Sequence, residues 1–191
     1  CCGGYVQIKL SLHNNSSDAL KNEKLYDDAN TNLYIFGAGH IGQAIIKKLE
    51  NINFNTFLID SREDFLKMKN INNINYLLSK KPWEIVHRLK DNSCFVVLTH
   101  SHDYDLKILN EVLKKKFTFL GLIGSKTKKN RFFKRLIDNG HNKSLVETIE
   151  CPIGINIGNS KDPDEIAFSI ITRLITIKNN LKIIKNKKIK E

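Results

Sequence analysis

An α/β fold, with a doubly wound and mainly parallel sheet carrying helices on both faces, is predicted by three features of the sequence. The first is the stretch from Leu33 to Gly42, in which apolar residues run straight into Gly37-Ala38-Gly39-His40-Ile41-Gly42 and an amphipathic segment follows. A G-x-G-x-x-G between a strand and a helix is far more specific than the same letters elsewhere. The second is the next apolar run, residues 54–59, which ends at Asp60, 18 residues past Gly42. The third is the alternation of apolar runs with helical patterns across the rest of the chain, which implies parallel strands joined by crossovers. Together they describe a Rossmann-like fold.

Each element has its own warrant. Residues 2–12 alternate from Tyr5, with Val6, Ile8 and Leu10 against Gln7, Lys9 and Ser11, and read as a strand with one wet face. Residues 13–32 are polar and read as a linker. The first core strand covers 33–36. A helix follows over 43–50, with Ile41, Ala44, Ile45 and Leu49 on one face. After the 54–59 strand, a short helix fits 63–69 and a third strand fits 74–78. Pro82 suits a first helical position, which predicts a helix over 83–89. Residues 94–98 are continuously apolar, as a strand buried on both faces should be. Leu106, Leu109 and Leu113 space out a helix, and 117–123 is the fifth core strand. A basic helix over 128–136 turns Phe132, Phe133 and Leu136 inward and closes near Gly140. Asp162-Pro163-Asp164-Glu165 is a helix start, with Asp162 as the cap, Pro163 first and Glu165 three residues on. Ile166, Ala167, Ile170, Ile171, Leu174 and Ile175 form the face behind it, and a frayed basic tail is expected over 179–191. The Rossmann-like domain is thus expected over 32–178.

Composition excludes several function classes. The net charge is +11, but Lys supplies 26 of the 31 basic residues and Arg, the bidentate reader of bases and phosphates, occurs five times. Lys, Asn and Ile share AT-rich codons, and no nucleic-acid module is present, so nucleic acid is not expected as a partner. No run of about 18 apolar residues is present, so no transmembrane helix is expected. Cys1, Cys2, Cys94 and Cys151 show no C-x-x-C spacing, which argues against a zinc ribbon and for reduced thiols in a cytoplasmic protein. The chain opens on Cys1 without a Met, which raises the expectation of an upstream part.

In open parallel sheets a ligand sits beyond the carboxyl ends of the strands, where strand order reverses. Three polar clusters fall at such ends. In the first, Gly37 allows the sharp turn, Gly39 lets the backbone approach a pyrophosphate, and Gly42 lets helix and strand pack closely. His40 could approach a phosphate there. Asp60 stands where an acid would bind a ribose hydroxyl, and Arg62 could instead meet an extra phosphate. In the second cluster His100 and His102, with Asp105, could hold a metal if the segment is extended. Hydrogen bonding to a ligand phosphate or heterocycle, or a loop capping the next helix through Asp103, are the other readings. In the third, Gly124, Ser125 and Lys126 could form a second anion cradle, or a plain turn. No metal site and no catalytic residue is assigned. Tyr76 and Lys80 match a dehydrogenase pair by letter, but they lie before the fourth strand rather than on a later helix, and no nucleophile motif occurs.

Taken in order, CCGG, IFGAGHIGQAI, IDSRE, LTHSHDYDLKIL, FLGLIGSKTKKNRF and CPIGINIGNSKDPDEIAFSI resemble the xanthine dehydrogenase accessory proteins of the XdhC/CoxI family, from Cys1 to about Lys178. The resemblance implies an accessory factor without turnover of its own. Such a protein would bind molybdenum cofactor (molybdopterin) as cargo and protect it while a cysteine desulfurase sulfurates it. It would then help insert the cofactor into xanthine dehydrogenase or a related molybdenum hydroxylase. It also implies a further N-terminal segment, of which residues 1–31 would be the tail end plus a linker, and a homo-oligomer is expected. Cys2 could then meet the cofactor's metal or sulfur, a structural turn cysteine being the alternative. A NAD-like dinucleotide is the alternative ligand, with an NAD(P)-binding oxidoreductase or a nucleotide-sensing interaction module as the alternative functions.

Overall fold

The computed structural model describes residue 12, residues 31–67 and residues 71–188. The expected strand over 2–12 apart from Leu12, nearly all of the 13–32 linker and the Cys2 reading lie outside the described residues. All elements below belong to one compact unit, Thr31–Glu191.

The sheet has five strands: β1 (Asn32–Phe36), β2 (Asn55–Asp60), β3 (Ile74–Leu78), β4 (Ser93–Val97) and β5 (Phe117–Leu122). Every pairing is parallel, in the order β3-β2-β1-β4-β5. The helices are α1 (His40–Leu49), α2 (His102–Val112), α3 (Lys126–Asp138), α4 (Lys143–Glu147) and α5 (Pro163–Lys188).

Alternation along β1 explains the layers. Leu33 and Ile35 point to one face and meet Ala44 and Ile45 of α1 and Ile170, Ile171 and Leu174 of α5. Tyr34 and Phe36 point to the other and meet Ile108, Leu109 and Val112 of α2, Phe132 and Leu136 of α3, and Val146 of α4. Side chains on a strand take opposite faces in turn, so a strand covered on both sides must be apolar throughout. β4 follows the same rule from Cys94 to Val97 and is buried at every position, including Ser93, whose Oγ donates to Lys90 O at 2.8 Å.

The free edge of β5 is partly covered: Leu122 donates its N–H to Glu150 O at 2.9 Å, and Glu150 donates to Leu120 O at 2.9 Å. Glu150 is in turn held by Arg173 of α5 at 2.7 Å. The α5 start follows its sequence pattern, with Asp162 Oδ1 accepting the N–H groups of Asp164 at 2.8 Å and Glu165 at 3.1 Å.

Three elements differ from expectation. Residues 82–89 form a turn with one 3-10 segment, Val86–Arg88, instead of a helix. Leu89 is already extended, and Lys90 donates its N–H to the Tyr34 hydroxyl at 3.2 Å, so the chain is drawn back to the sheet before a second turn can form. Of the helix expected over 63–69, the described residues 63–67 hold a 3-10 turn, Glu63–Phe65, and residues 68–69 lie outside the described ones. At the other end, α5 continues to Lys188, past the Lys178 where a frayed tail was expected. Lys and Leu are good helix formers, so local propensity favours the extension.

Candidate functional site

Strand order reverses between β1 and β4: β1 has β2 on one side and β4 on the other. Chain segments leaving these strands must diverge there, and a cleft of about 450 Å³ opens between them. Gly39, His40 and Ile41 line it from the start of α1, and Arg62 and Phe65 from the turn after β2. Leu98, Thr99 and His100 line it after β4, Ile123 after β5, and Pro163 at the start of α5.

The three glycines of the motif have different physical roles. Gly37 has φ +120° and donates its N–H to Ile59 O at 2.8 Å, and a Cβ there would run into the Leu98 carbonyl. Gly42 is buried, and a Cβ there would run into the Gly37 carbonyl. Both are therefore demanded by the fold. Gly39 is not. Its backbone is extended at φ −69° and ψ −172°, and a Cβ would meet nothing within 4 Å. It caps α1 without a side chain, so the first N–H groups and the positive end of the helix dipole are left open toward the cleft. His40, at the same rim, is exposed.

Asp60 is buried at the end of β2. Its Oδ2 accepts the Ala38 N–H at 2.7 Å and Arg62 Nη2 at 2.9 Å, and its Oδ1 accepts Arg62 N and Nε, both at 2.9 Å. Burial pushes the carboxyl up, but the Arg62 side chain together with the Ala38 and Arg62 N–H groups outweighs it and holds the group below the usual carboxylate range. The guanidinium also lies 3.8 Å above the Phe65 ring.

His100 and His102 separate. Ser101 caps α2, its Oγ accepting the Tyr104 N–H at 3.4 Å, so the chain turns helical between the two rings. His100 stays at the cleft, its ring edge-on to Tyr104 at 5.3 Å, while Tyr104 packs on Trp83 at 4.9 Å. His102 leaves it to accept from Arg131 Nη2 at 2.9 Å. The extended geometry that a shared metal needs is thus missing, and among the described residues no group of three His, Cys, Asp or Glu could hold a metal. Asp103 pairs with Lys107 at 2.8 Å rather than capping the helix.

The third cluster stands beside the cleft. Ser125 caps α3 through Lys128 N at 3.2 Å, Lys126 is exposed, and Ile123 rather than Gly124 reaches the lining. The group that ties this corner together is Lys128, whose Nζ donates to Asp105 Oδ2 at 2.7 Å and to Ile123 O at 2.9 Å. Asp105, fully buried, also accepts Thr99 N at 2.9 Å and Thr99 Oγ1 at 2.7 Å. Lys128 thereby fixes two cleft walls to each other. Sequence reasoning missed it because a Lys on a basic helix looks like solvated surface. The apolar walls Leu98 and Ile123 follow the ends of β4 and β5 and could have been found by taking the residues after each strand. Phe65 and Pro163 arrive through tertiary packing and carry no such signal.

Residues 33–174 match the family model described as the XdhC Rossmann domain. The chain is 24% identical over 180 residues to the uncharacterized protein YqeB of Escherichia coli (strain K12), covering 94% of this chain and 30% of that protein. It is 23% identical over 154 residues to a probable xanthine dehydrogenase subunit of Bacillus subtilis (strain 168), covering 80% of this chain and 44% of that protein. The chain thus spans less than half the length of these curated relatives. A solved structure of a xanthine dehydrogenase from Bacillus halodurans superposes with a TM-score of 0.67 at 25% identity, over 79% of this chain and 43% of the other.

Proposed function

The chain belongs to the family of the XdhC Rossmann domain, and on that footing we propose that it binds molybdenum cofactor as cargo and serves the maturation of a molybdenum hydroxylase. The reading is supported by the naming of the Bacillus relatives for xanthine dehydrogenase. The observation that carries it is the open space in front of Gly39, at the head of α1 and at the switch point of the sheet. A glycine that the fold does not require, facing a cleft, is what close approach of a phosphate to backbone N–H groups requires.

Molybdopterin presents a phosphate and a flat heterocycle, and the lining offers partners for both. The N–H groups at the start of α1, with His40 and Arg62, would hold the phosphate. His100 offers a hydrogen bond, and Leu98, Ile123 and Phe65 offer apolar contact, to a pterin. When bound, the cofactor carries the redox-active metal that the client enzyme needs. This unit would hold the organic part and leave the metal open to a cysteine desulfurase and then to the hydroxylase. Self-association of the chain, and a cytoplasmic site of action, belong to the same proposal. Among the described residues no helix is long and apolar enough to cross a membrane.

The test is to isolate the protein from cells that make molybdenum cofactor and identify the retained small molecule by mass spectrometry. The sample is then mixed with apo-hydroxylase. Retained molybdopterin and recovery of hydroxylase activity are expected. An empty cleft, or a retained nicotinamide nucleotide with no transfer, would refute the proposal.

A further inference from the structure

In dinucleotide folds an acid at the end of the second strand accepts hydrogen bonds from a ribose diol, and for that its oxygens must be free. Here neither is. A carboxylate offers about four acceptor positions, and those of Asp60 take Ala38 N, Arg62 N, Arg62 Nε and Arg62 Nη2. The group is 3% exposed. A diol could enter only by breaking the guanidinium fork, which would leave a buried carboxylate short of its partner.

Arg62 is in the opposite condition. Its Nε and Nη2 face Asp60, while among the described residues Nη1 has no hydrogen-bond partner. The side chain is 31% exposed and lines the cleft. Its plane is fixed twice over, by the fork to Asp60 and by the Phe65 ring beneath it. A planar guanidinium held rigid with one edge free suits an anionic oxygen and loses little freedom on binding one.

We infer that Arg62, not Asp60, is the ligand-reading group at the end of β2, so that the cleft accepts a ligand presenting a phosphate there and refuses one presenting a bare ribose diol. Asp60 is then a positioning residue: it ties the glycine turn, through Ala38, to the arginine that meets the ligand. The inference rests on the reading of this cleft as the ligand site and narrows what that site takes. The shared chemistry is a phosphate monoester, whether on a pterin or at the 2′ position of an adenosine.

Two probe pairs test it, each titrated calorimetrically into the 191-residue chain. One pair is NADPH and NADH, and the other is a pterin phosphate and the same pterin without its phosphate. The phosphorylated member is expected to bind about tenfold tighter or more in at least one pair, and no more weakly in the other, with the preference lost in Arg62→Ala. Because that variant leaves a buried carboxylate, its folding is checked by circular dichroism; the wild-type comparison stands without it. Equal binding within both pairs, tighter NADH than NADPH, a preference that survives in folded Arg62→Ala, or no binding by any probe overturns the inference. A phosphate preference in a chain that retains no molybdenum cofactor from cells would sink the delivery role and leave this inference standing. Retained cofactor with NADH favoured over NADPH would do the reverse.

Discussion

Gly37 and Gly39 lie two residues apart and should fail in opposite ways when replaced. Gly37→Ala forces a side chain onto φ +120° and into the Leu98 carbonyl; a loss of more than about 2 kcal/mol in urea unfolding is expected. Gly39→Val meets open space on extended backbone, and as a poorer helix cap should cost under about 1 kcal/mol. Comparable unfolding curves for the two variants would contradict these roles. Asp60 gives a pH prediction with a definite sign. Its folded pKa lies below the unfolded value because the Arg62 and Ala38 contacts overcome burial. The stability it contributes is therefore complete above the unfolded value near 4 and is lost as pH falls through the folded one. The stability gap between wild type and Asp60→Asn should be flat at neutral pH and close below about pH 4; a gap that widens on acidification would show the sign to be wrong. Cys94 is fully buried in β4 and its thiol is pushed up to about 12 by burial. Peptide mapping after iodoacetamide treatment at mildly alkaline pH should find it unlabelled in the folded chain and labelled in guanidinium, since the thiolate is the nucleophile.

The Asp105–Lys128 pair joins α2 to α3 across the cleft corner, and its energetics belong to both elements. Lys128→Met leaves a fully buried carboxylate without its cation and should cost about 3–5 kcal/mol. The double variant Asp105→Leu/Lys128→Met should recover part of that in denaturant unfolding; a single-variant loss below about 1 kcal/mol would mean the pair is not coupled. This corner also marks where sequence patterning stops being sufficient. The five strands were legible because each is dominated by apolar residues, and the start of α5 because Asp162 and Pro163 carry its cap chemistry locally. The 82–89 turn was not: Pro82, Trp83 and Val86 suit a helix as well as a turn, and the outcome depends on the remote Tyr34 hydroxyl that receives Lys90. α4 is five residues long, too short to show a period. His100 and His102 appear equivalent in an extended segment, and only the Ser101 cap separates them. Asp60 matched a ribose-binding pattern by spacing, but spacing says nothing about the fork from Arg62 that occupies it.

For the molecule as a whole, one sheet edge gathers residues far apart in the chain. Gly39, Arg62, His100 and Ile123 each follow a different strand and all border one cleft. That convergence follows from parallel strand direction, which brings every strand to an end on the same side, together with the reversal of strand order between β1 and β4. The cleft is bordered at α5 too, by Pro163, so the last helix of the described unit takes part in the site as well as in the core. We propose that this cleft holds a phosphate-bearing pterin against the open head of α1. The most direct test is titration of molybdopterin into the wild-type chain and into Gly39→Val, followed by intrinsic fluorescence. Saturable binding to the wild type is expected, weakened at least about tenfold in a variant whose unfolding curve is nearly unchanged. Equal affinity in the two chains, or no saturable binding to either, would contradict it.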